Sequence, residues 1–94
     1  MSLPTCFRDV PSSVVEKLAL HLDRHSNWQI LGEFMGMESD IMEALKRAKF
    51  PTKALLREWQ LSNEATVEKF LEYVELMGLE DVVDVLLAEY PSLR

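Results

Sequence analysis

Apolar residues in this chain recur three and four positions apart, not two, and their runs are broken at Gly36, Phe50-Pro51, Ser62-Asn63, Gly78 and Pro91. That spacing places them on one face of a helix, whereas a half-buried strand needs alternation. Only three glycines and four prolines occur, which leaves little chain for long loops. With 94 residues the chain makes at most one domain with one hydrophobic core. No internal repeat, low-complexity stretch or second domain is visible.

Six helical segments follow from this punctuation. The first runs from about Pro11 to His25, with Ser13 and Glu16 spaced as a capping box and Val15, Leu18, Ala19 and Leu22 on its apolar face. The second starts after Asn27, a good N-cap, carries Trp28, Leu31, Phe34 and Met35, and stops at Gly36. The third follows Ser39 with Ile41, Ala44, Leu45 and Ala48 inward. Proline disfavours helix at the residue before it, so Phe50-Pro51 ends that segment. The fourth starts at Pro51 or Thr52 and carries Leu55, Leu56 and Trp59. The fifth has the longest stripe, Val67, Phe70, Leu71, Val74 and Met77, ending at Gly78. The sixth opens on Glu80-Asp81, where acids suit a helix N-terminus, and buries Val83, Leu86, Leu87 and Tyr90. Short connections between such segments imply that sequential helices pack as neighbours in a bundle. The residues before Phe7 and after Pro91 are expected to fray, leaving an ordered core of about residues 7–91.

The single cysteine, Cys6, excludes an internal disulfide and suits a reducing compartment. No apolar run reaches the roughly 18 residues that span a bilayer. The N-terminus, with Pro4, Cys6 and Arg8, lacks the apolar stretch of a signal peptide. A cytoplasmic domain is the expectation.

Catalysis requires a nucleophile with its base, paired carboxylates in a cleft, or a metal. No such constellation stands out, no glycine-rich phosphate loop is present, and no cofactor is implied. His21 and His25, four apart, share a face at a spacing that can hold zinc, but no third ligand follows, so two solvated histidines is the better reading. Cys6 reads as an incidental residue in a mobile tail. Trp28 and Trp59 could stack a ligand; at helical spacing with Leu31 and Leu55-Leu56 they read as core. No metal site and no enzyme are expected of this segment.

The order and spacing of Trp28-x-x-Leu31, Met35-Gly36, Ile41, Leu45, Leu55-Leu56-x-x-Trp59, Ala65-Thr66-Val67, Phe70-Leu71, Val74 and Gly78-Leu79-x-Asp81 resemble the death domain family, from about Val10 to Pro91. The stretch Phe7-x-x-Val10-Pro11-x-x-Val14-x-x-x-Leu18-x-x-x-Leu22-Asp23, with Pro51-Thr52-x-x-Leu55-Leu56-x-x-Trp59, is similar to the Pelle and interleukin-1-receptor-associated kinase death domains. The latter motif is also similar to the p75 neurotrophin receptor death domain. Gly32 departs from the alanine that many members carry. The resemblance implies an all-α, six-helix antiparallel bundle of Greek-key type spanning residues 1–94. It also implies stacking with other death domains, adaptors or kinases, into oligomeric platforms. The sub-group implies Toll and interleukin-1 receptor signalling in innate immunity; any kinase would belong to a longer parent chain.

Charge is distributed unevenly along a chain of net charge −6. Lys46, Arg47, Lys49, Lys53 and Arg57 place half of the ten basic residues on the third and fourth helices with no acid between them. From Glu64 to Glu89, eight acids face Lys69 alone. Glu64, Glu68, Glu72 and Glu75 line one face of the fifth helix, and Asp81 and Asp84 extend the acidic surface. A solvated face that keeps the chain soluble is one reading. The other, favoured by the family resemblance, is a basic surface that meets a neighbour's acidic surface head to tail.

The sequence is also compatible with three other functions. One is a receptor-type or apoptotic death domain. Another is a helical nucleic-acid binder using the basic fourth helix, against which the net charge counts. The third is a sterile-alpha-motif-like module, suggested by the fifth helix and Met77-Gly78-Leu79; six helices rather than five favour the death fold.

Overall fold

The computed structural model describes residues 5–93. Pro4, part of the signal-peptide argument, lies outside the described residues, as do the ends of the 1–94 domain span. Six α-helices form the fold: α1 (Ser12–Leu22), α2 (Asn27–Phe34), α3 (Ser39–Lys46), α4 (Pro51–Trp59), α5 (Val67–Leu76) and α6 (Glu80–Glu89). Short 3-10 turns lie at Phe7–Asp9, Arg24–Ser26 and Pro91–Leu93. There is no strand among the described residues, only an isolated antiparallel bridge between Cys6 and Thr66.

Helix pairing departs from simple sequence order. α1 packs most extensively on α6, and both α1 and α2 pack on α4. α2 also touches α5, while α3–α4 and α5–α6 are neighbours in sequence as well as in space. Asn27 and Gly78 line one cavity, and the Phe34 and Tyr73 rings lie 6.1 Å apart. α2 and α5 therefore run antiparallel. Short connections fix where each helix begins, but burial decides which faces meet, because each apolar stripe must find a complementary one.

The helix ends show which local signals operate. Gly36 and Gly78 take φ of 75° and 72°, so each turns the chain through the left-handed region that stops α2 and α5. Pro51 sits at the first position of α4, where its missing N–H costs nothing. Thr66 caps α5, accepting a hydrogen bond from the Lys69 backbone N–H at 3.1 Å. Three other expected caps are absent. α1 begins at Ser12, so Ser13 is already helical and makes no cap bond. Asn27 is the first residue of α2, whose N-cap is Ser26, and α3 starts at Ser39 with Glu38 before it. α1 also ends at Leu22, not His25, because His25 and Ser26 both take φ of 55°. That conformation strains a non-glycine residue and forces a corner between α1 and α2.

The core is continuous. Leu18, Leu22, Trp28, Leu31, Leu45, Leu55, Leu56, Trp59, Val67, Phe70, Leu71, Val74 and Leu86 are all buried within one cluster. Phe7, Val10, Val14 and Val82 belong to it as well. Two residues read as inward are not: Ala44 is exposed and Phe34 is 40% exposed. On a helix as short as α3, Leu45 is the one buried residue.

At the centre, the Phe7 ring meets Trp59 edge-on with centroids 5.2 Å apart and Phe70 at 4.9 Å. Trp59 adds Phe70 at 6.0 Å and Tyr73 at 6.1 Å. Such pairs contribute about 0.5–1.5 kcal/mol each beyond the area they bury. The segment that carries Phe7 is pinned: Phe7 N–H donates to Ala65 O at 2.9 Å, and Val67 N–H donates to Thr5 O at 2.8 Å. Thr5 N–H reaches the Glu68 carboxylate at 3.2 Å. Thr5 and Cys6 are therefore tied to the start of α5 instead of fraying, and Cys6 is half-buried, not part of a mobile tail.

Thr52 is the buried polar side chain of the core, and its hydroxyl donates to the Asp23 carboxylate, joining α4 to the α1 C-terminus. Thr52→Val keeps the shape and removes that bond, leaving the exposed Asp23 carboxylate to water. Urea denaturation should show a loss of about 0.5–1.5 kcal/mol with an unchanged slope. Gly32 is buried in mid-α2, and a β-carbon there would lie 2.7 Å from Met42 Sδ and 2.8 Å from its Cε. Both atoms belong to the mobile end of a flexible side chain. Gly32→Ala should therefore keep most of the roughly 1 kcal/mol helix-propensity gain and raise the thermal midpoint.

Candidate interaction surface

The basic residues converge on one edge of the bundle. Lys46 ends α3, Arg47 caps it, Lys49 lies in the following turn, and Lys53 and Arg57 are one turn apart on α4. Lys53 pairs with Glu16 of α1 at 2.7 Å, and Lys46 with Glu43 at 3.1 Å. Among the described residues no carboxylate lies within ion-pair reach of Arg47, Lys49 or Arg57, all exposed. Lys53 and Arg57 also rim a cavity of about 250 Å³ between α1 and α4, with Val15, Glu16 and Gln60.

Phe50 stands in the middle of this edge. It is 56% exposed, with Lys53 Nζ 5.0 Å and Lys49 Nζ 5.6 Å from its ring centroid. Read from sequence, Phe50 only marks a helix break; in space it is an aromatic tip between two cations. Its spacing to Lys49 and Lys53 was the available signal.

The acidic residues do not form one face. Glu64 precedes α5 in a turn, so Glu68, Glu72 and Glu75 alone lie on the helix. Glu68 holds the Thr5 N–H, and Glu72 pairs with Lys69 at 3.6 Å. Glu75 and Asp84 line a cavity of about 370 Å³ between α5 and α6, together with Glu80, Leu79, Val83 and Leu87. Asp81 points the other way, into a second cavity of similar size with His21, Arg24 and His25. From sequence Glu80 reads only as an N-terminal acid of the sixth helix; its place in this cavity, one turn before Asp84, comes from the structure. At the far end of α6, burial first, then Glu89 and Asp9, raise the Tyr90 phenol above its ordinary range.

His21 and His25 do not share one helix, since the corner at His25 intervenes; His21 Nδ1 is buried without a hydrogen-bond partner. Among the described residues no group of three or more His, Cys, Asp or Glu is placed to hold a metal.

Opposed charged patches on a six-helix bundle are the form of an interaction module. A family model of the death domain matches residues 14–89. The chain belongs to the death domain family. Its fold is thus the death fold, and its function at that level is protein–protein interaction with other death-domain proteins. Over 74 residues, or 77% of its length, the chain is 31% identical to the mouse (Mus musculus) death domain-containing membrane protein NRADD. That match spans 32% of the relative. No solved structure gives a significant match. No helix among the described residues is long and apolar enough to cross a membrane.

The Lys53–Glu16 pair is solvent-exposed on the Glu16 side. A double-mutant cycle with Lys53→Ala and Glu16→Ala should therefore return a coupling below about 1 kcal/mol in urea denaturation. Charge changes at this edge then probe association with little effect on the fold.

Proposed function

We propose that this death domain assembles with other death domains by docking its basic α3–α4 edge, Lys46, Arg47, Lys49, Lys53 and Arg57, on a neighbour's acidic α5–α6 surface. The observation that carries this reading is the segregation of charge: uncompensated Arg47, Lys49 and Arg57 at one edge, and Glu75, Glu80 and Asp84 around the α5–α6 cavity. Two different patches meet, so the contact is head-to-tail and propagates into a ring or helix. Each exposed ion pair contributes about 0.2–1 kcal/mol, so charge chiefly sets partner choice and encounter rate. Glu64, Glu68, Glu72 and Asp81 lie outside that cavity and add only to the overall negative field.

The domain acts in the cytoplasm, within a longer platform of adaptors or kinases. The N-terminal motif similar to the Pelle and interleukin-1-receptor-associated kinase domains supports Toll or interleukin-1 receptor signalling. A second reading, a receptor-type death domain on the cytoplasmic side of a membrane protein, is supported by the likeness to the mouse relative, itself named a membrane protein. The partner captured from lysate decides between them.

Arg57→Glu should leave the helical circular dichroism spectrum unchanged and weaken assembly measured by light scattering. The same loss should appear in the wild type as salt rises from about 50 mM to about 500 mM, where screening is short-ranged. Unchanged scattering in Arg57→Glu counts against the basic edge.

A further inference from the structure

Among the large hydrophobic residues exposed at the surface, Phe50 is the more exposed of two phenylalanines, the other being Phe34. It is held out at the α3–α4 turn between Lys49 and Lys53, whose ammonium groups lie 5.6 and 5.0 Å from its ring. The same chain carries a site of the opposite character. The cavity between α5 and α6 has Leu79, Val83 and Leu87 as its apolar lining and Glu75, Glu80 and Asp84 among its polar lining. Its volume of about 370 Å³ falls in the range of about 300–1,000 Å³ typical of binding pockets. Phe50 does not line it.

An aromatic tip flanked by cations and a cavity that sets Leu79, Val83 and Leu87 among three carboxylates are complementary in polarity and charge. We propose that Phe50 of one copy of this chain inserts into the α5–α6 cavity of a second copy, with Lys49 and Lys53 meeting Glu80 and Asp84. This rests on the reading of the chain as a head-to-tail self-assembling domain, and it names the anchor and its receptor. A buried aromatic anchor ringed by charge is where interfaces concentrate their binding energy, while the rim pairs exclude water and fix register. The tip and the cavity lie on different parts of the molecule, so each copy offers one donor and one acceptor, and the contact leaves both ends open.

Sedimentation equilibrium on the whole chain tests this with two variants. Phe50→Ala removes the tip and keeps the cavity; Asp84→Lys reverses the cavity's charge and keeps the tip. Both positions are exposed, so unchanged circular dichroism is expected. Each variant alone should self-associate at least roughly tenfold more weakly than wild type, as loss of an anchor implies. Mixed together they should form a closed heterodimer, because the tip of Asp84→Lys fits the intact cavity of Phe50→Ala. Wild-type-like association of Phe50→Ala, or a mixture that stays monomeric, overturns the inference. If Arg57→Glu dissociates while Phe50→Ala does not, the basic edge stands and only the Phe50 anchor falls. A wild type that stays monomeric at its solubility limit overturns the inference, while the basic edge is still read from capture of other death-domain proteins by wild type against Arg57→Glu.

Discussion

The aromatic cluster of Phe7, Trp59 and Phe70 is the contact on which the rest of the bundle depends. Its three rings come from the N-terminal segment, α4 and α5, which are far apart in sequence. Phe7 can reach it only because Thr5 and Phe7 bond to the backbone at Ala65 and Val67. Those bonds sit directly before the Thr66 cap that starts α5. One local arrangement thus closes the N-terminal segment onto the core, sets the start of α5, and turns the acidic stretch of α5 outward.

The division of charge follows from the same packing. α4 buries Thr52, Leu55, Leu56 and Trp59, which leaves Lys53 and Arg57 on the opposite side beside α1. α5 and α6 pack together, and the seam between them opens as the acid-lined cavity. Apolar burial provides the stability, and the charged residues occupy what is left. Exposed pairs such as Lys46–Glu43 and Lys69–Glu72 add little to folding. The surface is therefore free to carry recognition at small cost to the fold.

The arrangement explains how a chain of net charge −6 can present a basic edge. Screening in salt limits exposed charges to about 8–10 Å, so a partner at the α3–α4 turn meets the local cations more than the distant acids. Phe50 adds an apolar element to that edge, which charge alone does not supply.

The sequence by itself determined six helices, their stops at Gly36 and Gly78 and the proline start of α4. Each of these depends on residues within a few positions of one another, where periodicity, left-handed glycine and capping act. It also carried the death domain pattern, since the spacing of Trp28, Leu31, Leu55, Leu56 and Trp59 encodes which faces are buried. Tertiary structure alone decided the pairing of α1 with α6 and of α2 with α5, the pinning of Thr5 and Cys6, and the corner at His25 and Ser26. These rest on contacts between residues distant in sequence, or on strain that no local glycine announces. The split of the acids was likewise beyond the sequence. Helical phase gives a residue's direction about its own axis, whereas Asp81 and Asp84 fall into different cavities because α6 lies between α5 on one side and the α1–α2 corner on the other.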